Sequence, residues 1–209
     1  ELSDFFVSVD GEVNGTAALG NASAKISTFN KCAHSFMQWP LRRLAAQFPN
    51  RDDCLQLGHR ITKQQNRLLT NDIVRQIYSL ALIRNYLEIQ SLNLCNLVIG
   101  DGYGVLTTLL SMHAPYRKTI SVNLTKPLLL DLIYFNQALP DAEFALVSNC
   151  EEMKAALTCD SVRVIGVRGD DASCITEAPI GLAANVVSMQ EMDPPVIADY
   201  FRLLRNNKA

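Results

Sequence analysis

A chain of 209 residues, 48% apolar and 19% charged, has the composition of an ordinary globular protein and enough length to bury a sizeable core. Its formal net charge of -2 lacks the basic excess that polynucleotide binding requires, so nucleic acid is not an expected partner. No run approaches the ~20 consecutive apolar residues of a membrane span, and the opening Glu1-Leu2-Ser3-Asp4 leads into no signal-like apolar stretch. No membrane partner is expected, and the cytoplasm is the expected location.

Residues 1–25, rich in Gly, Ala, Ser and Asn, read as a loose arm. Short helices are expected between Ile26 and Pro49, where Phe29, Phe36, Trp39 and Phe48 surround Pro40. From Thr70 to Ile89 the apolar residues Ile73, Ile77, Leu80, Ala81 and Leu87 recur at helical spacing. Thr70 or Asn71 can cap this helix, and Asp72 suits its positive end. Arg84 falls on the same face, where a long cation snorkels to water. Six cysteines without a C-x-x-C pair fit neither a zinc ribbon nor a redox motif, and read as scattered buried or semi-buried thiols.

Beyond Leu92 the pattern alternates. Strands are expected at 96–99, 118–123, 143–148, 162–167 and 180–188, and helices at 105–112, 127–139, 151–157 and 194–204. Such alternation argues for a mostly parallel sheet covered on both faces, an α/β fold with an N-terminal helical extension.

The most informative residues are Gly100-Asp101-Gly102-Tyr103-Gly104, between the first of these strands and its helix. Glycines allow a tight turn and close approach of a ligand, and the helix start offers free N–H groups. A dinucleotide fingerprint would need Gly or Ala at position 105, where Val105 stands. The G-x-G-x-G spacing resembles instead the first motif of S-adenosylmethionine-dependent methyltransferases. Asn123 ends the next strand about twenty residues on, where a side chain commonly reads ribose hydroxyls. Gly169-Asp170-Asp171-Ala172 resembles the Gly-Asp-Ala turn beside the adenine in those enzymes.

Ser188-Met189-Gln190-Glu191-Met192, taken with Ile99-Gly100-x-Gly102-Tyr103-Gly104, resembles the sugar O-methyltransferase family. Leu69-Thr70-x-Asp72 and Tyr200-Phe201 look like that family too, and the resemblance covers roughly residues 65–205. It implies a Rossmann-like S-adenosylmethionine-binding domain over 69–209, preceded by a helical extension or lid over 1–68. It also implies a sugar or similar hydroxyl compound as acceptor. Two departures stand out. Val98 occupies a position that is commonly acidic, and Asn123-Leu124-Thr125 replaces Asp-Leu-Pro. A methyltransferase sheet usually has seven strands, so the chain is expected to be a fragment or a shortened homologue.

Methyl transfer from a sulfonium needs an aligned acceptor oxygen and a proton acceptor. Glu191 is the candidate base, with Gln190 and Ser188 as hydrogen-bonding partners of the substrate. Gly100, Asp101, Gly102, Gly104, Asn123, Asp170 and Asp171 are the candidate cofactor-binding residues. His34 and His59, on the expected lid, are lesser candidates for the base, and His113 reads as structural or exposed. No tight His/Asp/Glu cluster calls for a metal. The competing expectations are a methyltransferase of natural products, a non-catalytic binding protein that kept the fold, and, more distantly, a nicotinamide-dependent oxidoreductase.

Overall fold

The structure, a computed structural model, describes residues 6–7, 13–14, 27–87 and 94–207. Most of the expected N-terminal arm lies outside the described residues; two short strands within it, β1 (Phe6–Val7) and β2 (Val13–Asn14), pair antiparallel. The chain divides into two compact units, Glu1–Tyr86 and Leu87–Ala209.

The first unit is helical: α1 (Thr28–Met37), α2 (Trp39–Ala45), α3 (Arg51–Gln64) and α4 (Asn71–Tyr86). Ser27 caps α1 through its Oγ, which accepts the Asn30 N–H at 3.1 Å. Pro40 sits in the first turn of α2, where a missing N–H costs nothing. Thr70 accepts the Ile73 N–H, so α4 begins where its sequence indicates. It ends at Tyr86; residues 88 and 89 of the expected helix lie outside the described residues. Ile73, Ile77, Leu80 and Ala81 are buried as their spacing requires. Because α4 packs on α3, the division between units falls after Tyr86, whereas the expected boundary lies between 68 and 69. Arg84 donates to the Cys54 Sγ at 3.5 Å and lies 4.0 Å from an Asp53 carboxylate oxygen.

The second unit is a Rossmann-like parallel sheet with helices on both faces. Its strands are β3 (Cys95–Ile99), β4 (Thr119–Asn123), β5 (Glu143–Val147), β6 (Val162–Arg168) and β7 (Ile180–Ala184). They lie in the order β5-β6-β4-β3-β7, every neighbouring pair parallel. Alternation along each strand sorts the two faces. Leu97, Ile99, Ile120, Val122, Ile165 and Val167 form one core with Met153 of α7 (Cys150–Thr158) and Tyr200 of α8 (Pro194–Asn206). On the other face Val164 packs under Leu128, Leu132 and Phe135 of α6 (Thr125–Ala138). The remaining helix, α5 (Val105–His113), lies beside α6. A 3-10 segment, Gly169–Glu177, follows β6. All six cysteines are free thiols. No helix among the described residues is long and apolar enough to cross a membrane.

One strand is shorter than expected. β7 stops at Ala184 rather than running to Ser188, because the Asn185 Oδ1 accepts the Met189 N–H and closes the chain into a 3-10 turn, Ser188–Glu191. The start of β7 is fastened by Asn207 beyond α8. Its Oδ1 accepts the Ile180 N–H at 3.2 Å, and its Nδ2 donates to the carbonyls of Ala178 at 2.6 Å and Ile175 at 3.2 Å. Asn207→Ala leaves these groups without that partner, and should cost about 1–3 kcal/mol in urea unfolding. Asn206→Ala, at an exposed neighbour, should be near neutral; equal losses would show that the amide does not fasten the strand.

Candidate active site

Parallel strands bring all their carboxyl ends to one edge of the sheet. The chain passes from β3 to β4 on one side and returns to β7 on the other. Such a reversal opens a crevice beyond the strand ends, the usual ligand position in α/β sheets. The turn Gly100–Gly104 lies at the end of β3, beside that reversal.

All three glycines of the turn have left-handed backbones, with φ of 66°, 83° and 69° at Gly100, Gly102 and Gly104. Their surroundings differ. A Cβ on Gly100 would stand 2.1 Å from the Ser188 Oγ, and one on Gly104 would stand 2.4 Å from the Asp131 carbonyl oxygen. Both positions are therefore closed by packing. Among the described residues, a Cβ on Gly102 would meet nothing within 4 Å. Gly102 is the glycine of the turn with open space before it.

Asp101 turns inward. Its carboxylate accepts the N–H groups of Leu106 at 3.1 Å and Thr107 at 2.7 Å, and so caps α5. Burial raises its pKa, with the Thr107, Leu106 and Val105 contacts opposing. Beneath the turn lies Asp131 of α6, 1% exposed. Its Oδ2 accepts from Ser121 Oγ at 3.3 Å and Asn123 Nδ2 at 3.0 Å. Burial first, and then the Asp101 charge, push its carboxyl well above the usual range, against the hydrogen bonds from Asn123 and Ser121. Asp131 is not among the site residues expected from the sequence. Its signal is an acid inside the apolar run Leu128-Leu129-Leu130-Asp131-Leu132-Ile133, on a helix that covers the sheet.

Asn123, the expected reader of ribose hydroxyls, is engaged at both ends of its amide: Nδ2 donates to Asp131, and Oδ1 accepts the Leu124 N–H at 2.9 Å. Asp170 and Asp171 begin the 3-10 segment after β6. Asp171 pairs with Arg168 Nε at 2.7 Å, and Asp170 is exposed. β4 separates them from β3, so this turn stands about 10 Å along the sheet edge from the glycines.

The Ser188–Glu191 segment folds onto the glycine turn. The Ser188 Oγ donates to the Ile99 carbonyl at 3.1 Å, and the Asn185 Nδ2 donates to the same oxygen at 2.7 Å. Met189 and Met192 pack against the core, while Gln190 and Glu191 are exposed. Val187, just before the segment, has φ 79° and ψ -38°. A β-branched residue is an outlier in this region; such backbones cost of order 1–3 kcal/mol and cluster at functional sites. Nothing in its sequence announces this, because valine there reads as strand.

The histidines belong to other elements. His113 ends α5, which runs back toward the amino ends of the strands. In the first unit, His34 Nδ1 accepts the Asn71 N–H at 3.3 Å, and His59 is exposed on α3. Among the described residues, no three His, Cys, Asp or Glu side chains converge as a metal site requires. No family model, curated protein or solved structure matches the chain.

The buried acids give a pH test. A carboxyl with a raised folded pKa favours the fold while protonated, and that contribution fades as pH climbs from about 4, the unfolded value, through the folded one. Asp131→Asn removes the charge and keeps the shape. Its stability relative to the parent should therefore grow as pH rises above about 4 in urea titrations. A difference independent of pH would mean that Asp131 is not held at a raised pKa.

Proposed function

We propose that this chain binds S-adenosylmethionine and transfers its methyl group to a hydroxyl of a sugar or similar small compound. The observation that carries the reading is the glycine turn at the strand reversal, with the Ser188 segment folded onto Gly100. The two motifs whose combination resembles sugar O-methyltransferases are thus in contact.

Two further features support it. With β5 set aside as an added edge strand, the order β6-β4-β3-β7 is the 3-2-1-4 order of a Rossmann half. The open space before Gly102 fits a ligand lying against the backbone, as the cofactor's amino-acid part and ribose would. Gly100–Gly104 and the exposed Asp170 are the groups that would hold it. Asn123 would join only by releasing Asp131 or the Leu124 N–H.

When bound, the sulfonium cofactor supplies an activated methyl group. The chain's own residues must orient the acceptor oxygen and accept its proton. Glu191, exposed at the end of the 3-10 turn, is the candidate base, and the neighbouring Gln190 is suited to hydrogen-bond the acceptor. Ser188 donates its proton to the Ile99 carbonyl and can only accept from a substrate. A second reading, a protein that binds ligand without turnover, is favoured by the commitment of Asp101 and Asn123 to the fold.

The test is transfer of a labelled methyl group to a panel of sugars and nucleotide sugars. Glu191→Gln should lower kcat by about 10²–10⁴-fold while leaving cofactor affinity within about twofold. Unchanged turnover in the variant would remove Glu191 as the base. Cofactor binding by the parent without transfer to any acceptor would favour the non-catalytic reading.

A further inference from the structure

The first unit holds an open cavity of about 430 Å³, within the size range of small-molecule sites. Its wall is assembled from three helices and a connection: Lys31 of α1, Arg42 of α2, His59 and Lys63 of α3, and Arg67 before α4. No carboxylate stands among its described lining residues. Three cations on three different helices, Lys31, Arg42 and Lys63, thus line one cavity in a chain whose net charge is -2.

The floor is built rather than incidental. Gln38, 2% exposed, donates through Nε2 to the Leu69 carbonyl at 2.8 Å, and its Oε1 accepts from Arg42 Nη2 at 2.9 Å. That bond holds the guanidinium at the cavity and leaves its other N–H groups for a ligand. Three carbonyls in the last turn of α3, which would repel an anion, are already occupied. Ile61, Thr62 and Lys63 accept N–H groups from Gln65, Arg67 and Asn66. A helix end attracts a cation by its dipole, which explains Lys63 but not Lys31 or Arg42, on other helices.

We propose that this cavity binds a small phosphorylated compound, its diphosphate or phosphoester group held by Arg42, Lys31 and Lys63. Guanidinium groups pair bidentately with phosphate oxygens, and lysines add compact charge. Three cations exceed what a single carboxylate would balance. A cluster of cations around one cavity, instead of a basic stripe, fits a small molecule over a polynucleotide backbone. The proposal rests on no part of the methyltransferase reading.

Calorimetry on the full chain at low salt, with pyrophosphate and inorganic phosphate as probes, tests it. Pyrophosphate should bind, more tightly than phosphate, and weaken as salt rises. Arg42→Gln should reduce affinity by at least about tenfold. Since Arg42 also bonds to buried Gln38, the double variant Lys31→Gln/Lys63→Gln provides the same test with two exposed side chains. It should weaken pyrophosphate to a similar extent with an unchanged melting temperature, and Arg202→Gln on α8 should not. Absence of heat with either probe, or equal affinity in the double variant and the parent, would overturn the proposal. Tighter binding of single-stranded oligonucleotides, increasing with their length, would overturn it in favour of a nucleic-acid surface.

Discussion

Gly104 meets the backbone of α6 so closely that any side chain there would strike the Asp131 carbonyl, and Gly100 meets Ser188 with equal closeness. The glycine turn is thereby clamped from two sides. One contact sets α6 beneath the turn, with Asp131 in a nearly dry position. The other sets the segment after β7 against the end of β3. Each depends on a left-handed backbone that glycine adopts at little cost. The site is therefore a consequence of packing before it is anything else.

That packing separates residues with a structural duty from those left for a ligand. Asp101 caps α5, Asn123 supports Asp131, Asp171 pairs with Arg168, and Ser188 closes on Ile99. What remains along the edge is the open space before Gly102, with exposed Asp170, Gln190 and Glu191. The strained Val187 holds the last two at the end of a short turn instead of a continued strand. Energy stored in a backbone of this kind is retained only where neighbours enforce it, here the hydrogen bonds of Asn185 to Ile99 and Met189.

Much of the second unit is legible in the sequence. β3, β4, β5 and β6 lie where short apolar runs, rich in Val and Ile, end in Gly, Asn or Ser, and their helices begin where the periodicity changes. The helix α3 is not legible, because its run Arg51–Gln64 is dominated by charged and amide side chains with few apolar positions. The end of β7 was misread, since Asn185-Val186-Val187 has strand composition while side-chain hydrogen bonds turn the chain. Asp131 escaped because its role arises from burial between helix and sheet, which linear spacing does not display. The glycine motif itself was visible, but only the three-dimensional contacts tell Gly102 from its two neighbours.

Calorimetric titration with S-adenosylhomocysteine, with NAD as control, tests the central claim most directly. The sulfur compound should bind in the micromolar range, NAD should give no heat, and Gly102→Ala, whose methyl group would enter the open space, should weaken binding at least about tenfold. No heat with S-adenosylhomocysteine from folded parent protein would contradict the claim that this turn is a cofactor site.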